Sequence, residues 1–468
     1  MYNDDDQNEG FDDGELKGDL QQFEKFLEGG DPMGFMDSDR WEAMTDHYLI
    51  VGQYAKALAC ADEALTQFSY NSTLRLRKAQ AHAAMGALKE AINILNELER
   101  EGISSTELLL TRASVFSQLK DTMNAIRYFK TALESASPED RDEIYLDLAM
   151  EYQNAGELEK AIKVLNEAIK TNPANEGAIY ELAFCYDQQG DFEASIKCYS
   201  DFIDDNPYSF TAWYNLGNAY AKIDNLEKAA WAYDYCLLIN DNFGPAYFNL
   251  AHTHLSMDRY SSAISYFEKC MELDGDDPLA LCYVGECYEQ LGELHTAKAY
   301  YKKSLEMAPM LPDAWLGLGI VEDLEGRTKE ALGLIHKALE LDPENASIYH
   351  VLAGAYEKLE DYENAYENYQ LSLSFDPSEE DCLLNYIQLL SQESLPQALE
   401  FLNTLCEEEA NDLAPVLRVS ILWKLGRKNE AVESFKSCLI EDRDKAMEIF
   451  DFHPALKNVP EFVLLGDQ

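Results

Sequence analysis

Apolar residues return along this chain with a period of 34 residues, laid over the shorter rhythm of amphipathic helices. The clearest copy carries Trp213, Leu216, Gly217 and Tyr220, then Ala229 and Tyr233. The same slots recur at Tyr247, Leu250, Ala251, His254, Ala263 and Phe267, at Leu281, Val284, Gly285, Tyr288, Ala297 and Tyr301, and at Trp315, Leu318, Gly319, Glu322, Ala331 and Ile335. Large residues spaced three, four and seven apart return to one side of a helix, so each copy predicts a helix A and a helix B that share an apolar seam. With the Trp/Tyr/Leu anchor set as the fourth residue, copies begin at Ser38, Ser72, Thr106, Asp142, Glu176, Phe210, Gly244, Pro278, Pro312, Ala346, Glu380 and Asp412. Of the eleven intervals, nine are 34, one is 36 and one is 32. The insertion near Ser137-Pro138 and the deletion near Pro396 are expected in turns, and the eleventh copy is expected to be the least regular.

The remaining slots have physical reasons of their own. Small residues at positions 8 and 20, such as Gly319 with Ala331, let two helices approach closely, and the large residue at position 24 fills the space left between them. Position 15 is often Gly (Gly52, Gly86, Gly156, Gly190, Gly292, Gly326, Gly426), as a helix entering the left-handed region at its C-terminus prefers; Asp or Glu replaces it in three copies. Asn172-Pro173, Asn206-Pro207, Asp342-Pro343 and Asp376-Pro377 close helix B, because Pro disfavours a helical residue before it.

This pattern resembles the tetratricopeptide repeat, in the manner of bacterial multi-repeat scaffolds. The resemblance implies an all-α fold: an α-solenoid of about twelve helix-turn-helix repeats forming a right-handed superhelix, with capping helices at both ends. Four segments are expected: an acidic disordered leader over 1–18, an amphipathic N-terminal cap over 19–37, the repeat array over 38–444 and a C-terminal capping segment over 445–468. The cap expectation at the N-terminus rests on Leu20, Phe23, Phe26 and Leu27; a segment lying in the array's own groove is the alternative.

Charge narrows the partners. Lys plus Arg number 37 against 87 Asp plus Glu, a formal net charge of -50. Such a surface repels phosphate backbones and anionic headgroups, which disfavours nucleic acid and membrane docking. The acidity serves either solubility or the choice of basic partners, and composition leaves both open. An opening run of Asp4, Asp5 and Asp6 differs from a secretory signal, and a cytoplasmic location is expected. Cys236, Cys270 and Cys438 share position 27, while Cys185 and Cys287 share position 10, so the cysteines read as small packing residues in a reducing compartment.

In tetratricopeptide proteins, positions 2, 5, 9 and 12 of helix A line the concave groove and touch ligands. The resemblance therefore marks Tyr180, Phe184 and Asp187 of repeat five, Tyr214 and Asn218 of repeat six, Phe248 and His252 of repeat seven, and Glu286 and Glu289 of repeat eight as partner-binding. Aromatic rings there supply flat apolar area, and Asn218 can both donate to and accept from a peptide backbone. Across all twelve repeats these positions hold no Lys and no Arg. Relatives that clamp a terminal carboxylate use cations in the groove; this chain lacks them, so neutral or basic extended segments are favoured. Asn215, Asn218 and Asn249 resemble the asparagine arrays of protein glycosyltransferases only in part, and no length remains for a transferase domain.

No catalytic signature emerges. His252 and His254 stand about 200° apart around a helix, a poor geometry for one metal. Asp274, Asp276 and Asp277 lack the spacing of a calcium loop, and Gly317-x-Gly319 lacks the third glycine of a dinucleotide loop. No cofactor or metal is expected. The sequence points to a non-enzymatic scaffold or adaptor binding other proteins; a regulatory subunit docking a separate enzyme, or a chaperone-like holder of basic proteins, is the alternative. Self-association stays open.

Overall fold

The fold is all-α in this computed structural model, which describes residues 13–466; among them there is no strand. The chain divides into two compact units that meet in sequence between Asn225 and Leu226.

The first unit is a stack of helix pairs. Helix A and helix B of repeats one to five are Ser38–Ile50 with Tyr54–Gln67, Ser72–Ala84 with Leu88–Arg100, Thr106–Gln118 with Thr122–Ser135, Arg141–Asn154 with Leu158–Thr171, and Glu176–Gln188 with Phe192–Asp205. Helix A of repeat six, Phe210–Lys222, closes this unit. The residue before helix A is repeatedly a cap: the side chains of Asn71, Ser105, Asn175 and Ser209 each accept from a backbone N–H in the first turn. The extra residues near Ser137-Pro138 lie between Ser135 and Arg141, outside either helix.

An additional helix, Asp13–Leu27, precedes the pairs. It corrects the expected disorder over 13–18; the rest of that leader, 1–12, lies outside the described residues. The apolar register starts earlier than Leu20, because Leu16 already packs on the cluster that Leu20, Phe23 and Phe26 join. Phe23 is fully buried, 6.0 Å edge-on from Trp41 and 5.9 Å from Tyr48, the anchors at positions 4 and 11 of repeat one. Asp19 is buried against Arg40, whose Nε donates to Asp19 Oδ2 at 2.7 Å.

The second unit begins with Leu226–Ile239 and continues with Gly244–Ser256 and Tyr260–Asp274, Pro278–Gln290 and Leu294–Met307, Pro312–Leu324 and Thr328–Leu341, and Ala346–Lys358 and Tyr362–Phe375. Its core shows why small residues are needed at the seam. A Cβ on Gly285 would meet the Tyr301 ring at 2.9 Å, one on Gly317 would collide with the same ring, and one on Gly319 would collide with Ile335. Trp315 reaches back to the turn before it, its Nε1 donating to the Pro309 carbonyl at 2.9 Å, as Trp213 does to Pro207 in the first unit.

Repeat eleven departs most from the others. Its helices Glu380–Glu393 and Leu395–Glu407 are separated by Ser394 alone, which ends one and caps the next by accepting from Gln397 N. The last pair, Ala414–Lys424 and Lys428–Glu441, is followed by short helical pieces through Pro460–Gly466. Phe462 of this tail is fully buried, 5.3 Å from Trp423 and 5.0 Å from Phe435.

Position 15 adopts positive φ in every repeat but the eleventh, where Ser394 is extended at φ -153°. Gly52, Gly86 and Gly326 do so at 74°, 77° and 82°, and Lys120, Asp224, Asp258 and Glu360 are held at 60°, 55°, 57° and 59°. The turn geometry is therefore imposed by the helix pair, and non-glycine residues accept the left-handed region there.

Candidate functional site

In the first unit, Tyr180, Phe184 and Asp187 stand at i, i+4 and i+7 on helix Glu176–Gln188, one face of one helix. The structure gives them different roles. Phe184 is exposed at 48%. Tyr180 is half-buried, with its hydroxyl 2.5 Å from Thr211 Oγ1 and 3.1 Å from Glu176 Oε2 and its ring 6.1 Å from Tyr199. Burial lifts its phenol above the ordinary pKa. Asp187 is ion-paired with Lys222. Tyr214 and Asn218 are half-buried on helix Phe210–Lys222.

The Asp187–Lys222 pair belongs to a pattern. Position 12 of one repeat meets position 13 of the next, and Asp323 with Lys358 repeats the arrangement at 2.5 Å. Near the start of the array Arg77, at position 6, bridges Asp46 and Glu107. Positions 2, 5, 9 and 12 lack cations, yet several of their acids are neutralised from neighbouring slots.

The second unit holds the rest of the candidate residues. Phe248 lies edge-on to Phe267 at 5.5 Å and 6.1 Å from Tyr283, while Phe267 stacks on Tyr283 at 5.6 Å. His252 keeps much of its surface in solvent but stands edge-on to Tyr283 at 5.2 Å, and desolvation lowers its pKa. His254 stacks instead on Tyr266 at 5.2 Å, so the two imidazoles serve different rings. Aromatic packing of this kind holds side chains in place beyond the area it buries.

Glu286 and Glu289, one turn apart on helix Pro278–Gln290, are half-buried. Among the described residues, neither they nor Asp313 at the start of the next helix A forms an ion pair. Tyr301 donates to Glu289 Oε2 at 2.9 Å. Desolvation, reinforced by the neighbouring Glu286, pushes Glu289 up to about 7 despite the tyrosine. Desolvation also raises Glu286, with Asp313 adding to it, and raises Asp313 itself. Glu286 and Glu289 thus share a partly dried wall beside Tyr283, with the more exposed Asp313 at its edge, and among the described residues no cation compensates the three.

Models of the tetratricopeptide repeat match residues 48–102, 154–207, 210–243, 244–310, 288–346, 346–379 and 416–445. The chain is a tetratricopeptide repeat protein. Among solved structures it is similar to the crystal structure of the APC/C hetero-tetramer Cut9-Hcn1 at 16% identity, covering 87% of this chain and 94% of that one with a TM-score of 0.43. It is also similar to YrrB, described as a tetratricopeptide protein with an unusual peptide-binding site, at 22% identity over 40% of this chain and 95% of that one, TM-score 0.31. A tetratricopeptide repeat protein from Parabacteroides merdae is 19% identical, over 51% of this chain and 93% of its own, TM-score 0.39. No curated protein matches the chain. Tetratricopeptide folds are typically non-catalytic scaffolds for protein–protein interaction, which is the function the repeats support here. No helix among the described residues is long and apolar enough to cross a membrane.

Sequence reasoning on this tetratricopeptide array missed the neutralising cations at positions 6 and 13 and the role of Asp313 beside Glu286. The signal for the first was present: Asp187 and Lys222, like Asp323 and Lys358, stand one repeat plus one residue apart.

Proposed function

We propose that this protein is a non-enzymatic scaffold that holds basic or neutral polypeptide segments against the helix A faces of its repeats, and that in the second unit Glu286, Glu289 and Asp313 take the cationic side chains. The observation that supports this most is the pair of half-buried carboxylates Glu286 and Glu289, with the more exposed Asp313 beside them and no ion-pair partner among the described residues, next to the rings of Tyr283, Phe248 and His252. A lysine or arginine entering there would meet negative charge in a medium less polar than water, where attraction is stronger, with aromatic area beside it for the aliphatic stem. In the first unit, Phe184 offers an exposed ring, while Tyr180 serves the junction with Thr211 as much as any partner. The ten unpaired cysteines are in keeping with a reducing, cytoplasmic setting.

Affinity capture at low and moderate salt tests this reading. Captured proteins should be enriched in basic or apolar extended segments, should weaken as salt rises, and should be lost with Phe184→Ala/Phe248→Ala combined with Glu286→Gln/Glu289→Gln. Partners retained in full by that variant would place binding on another surface.

A further inference from the structure

We propose that His350, Glu379 and Cys382 form a binding site for one zinc-class divalent cation where repeats ten and eleven meet. His350 sits at position 5 of helix Ala346–Lys358; Glu379 is the residue before helix Glu380–Glu393, and Cys382 lies in that helix's first turn. One ligand atom from each falls within 4.8 Å of the other two. His350 Nδ1 is 2.8 Å from Glu379 Oε1, and the Cys382 sulfur, fully buried, has a contact of 3.9 Å to the Tyr369 carbonyl oxygen.

The donor set decides the ion. One imidazole nitrogen, one carboxylate oxygen and one thiolate sulfur suit a borderline-soft cation, whereas magnesium and calcium call for oxygen alone. Three protein ligands leave a fourth tetrahedral position for water.

The Cys382 slot takes Ala178, Ala212, Ala246, Ala280 and Ala314 in repeats five to nine and Leu74, Leu108, Ile144 and Ile348 in others, and Cys382 is the one thiol at this position of the array. Cys382 also stands outside positions 10 and 27, where cysteines recur.

Neighbouring groups support the ligands as metal sites require. Asn385 Nδ2 is 3.0 Å from His350 Nε2, and Ser372 Oγ, which donates to the Ala346 carbonyl at 2.9 Å, lies 3.4 Å from Glu379 Oε2. When Nδ1 takes the metal, the ring proton moves to Nε2, and a turn of the Asn385 amide lets Oδ1 accept it. The thiol proton is released to solvent as the metal–sulfur bond forms, one proton for each ion bound.

The test uses the full chain, stripped with chelator and titrated with Co²⁺ in excess Mg²⁺, which occupies the acidic surface. A thiolate-to-cobalt charge-transfer band should saturate at one equivalent and be displaced by Zn²⁺. Cys382→Ala, which fits the alanine slot and should keep the wild-type helical circular dichroism, should abolish the band. His350→Gln should weaken Zn²⁺ binding more than about tenfold, and Cys282→Ala should leave both readings unchanged. Absence of a saturable band in wild type, or the same band in Cys382→Ala, would overturn the assignment.

Discussion

The helix A faces of the two units carry the same kind of charge in different company. In the first unit Asp46, Glu107 and Asp187 each have a basic side chain leaning over from a neighbouring repeat. In the second, Glu286, Glu289 and Asp313 have none among the described residues, although Asp323 close by is paired with Lys358. Counting acids therefore misjudges where uncompensated negative charge lies. What matters is whether a long side chain one repeat away can reach the carboxylate, and whether the surroundings are dry enough to leave the negative charge costly.

The largest effect should come from removing the unpaired trio. Glu286→Gln/Glu289→Gln/Asp313→Asn should weaken a fluorescent, unstructured peptide alternating Lys with Leu by about thirtyfold, ~2 kcal/mol. The matching change in the first unit, Asp46→Asn/Glu107→Gln/Asp187→Asn, should stay within about twofold. Equal losses in the two variants, read by fluorescence anisotropy, would erase the contrast.

Gly317→Ala is next. Its methyl group would drive the Tyr301 ring from its seat and with it the donor to Glu289, so urea denaturation should show a loss of about 1.5 kcal/mol. Peptide binding should fall as well, because Glu289 loses the group that orients it.

Glu289 gives the comparison a pH dependence. Its folded pKa of about 7 lies above the ordinary 4.5, so the folded chain holds this proton more tightly than the unfolded one. Stability from this group is present at low pH, declines as pH rises from about 4.5 through about 7, and is level beyond. Glu289→Gln, which keeps an acceptor for Tyr301, should therefore gain about 1 kcal/mol over wild type at pH 8 and nothing at pH 4, followed by thermal melts. A cationic ligand favours the ionised form, so wild-type peptide affinity should rise from pH 6 to pH 8 and that rise should flatten in the variant.

The smallest effect comes from unmasking. Lys222→Gln frees Asp187 and should raise affinity for the same peptide about twofold, as removal of an exposed ion-pair partner allows. A decrease would mean that Lys222 itself contacts the ligand.

Much of the architecture could be read from the periodicity, because the slots report which way a side chain faces along a helix. The anchors Trp213 and Trp315 are buried and half-buried and the position-24 ring Tyr301 is buried where the spacing places them, and glycine at position 15 marks a left-handed turn in each copy that has it. Contact partners were harder to read. Tyr180 faces outward by its slot, but its hydroxyl reaches Thr211 in the following repeat. Glu322 fills a core slot usually held by an apolar residue, and it is tolerated because Lys298 and Arg327 converge on it. The N-terminal helix began earlier than its densest apolar stretch suggested, since a single leucine, Leu16, extends the packed register by one turn. In each case the missing information was the reach of a long side chain between elements, which a one-dimensional pattern does not carry.

Ser394 has a mechanical consequence. Elsewhere a short run of residues links helix A to helix B and can absorb small torsions, as Val51, Gly52 and Gln53 do in repeat one. A lone serine that terminates one helix while capping the next leaves no slack, so a tilt of Glu380–Glu393 must be handed on directly to Leu395–Glu407. Repeat eleven thus behaves as a stiff elbow among compliant joints, and strain arriving from either side should pass through it undamped.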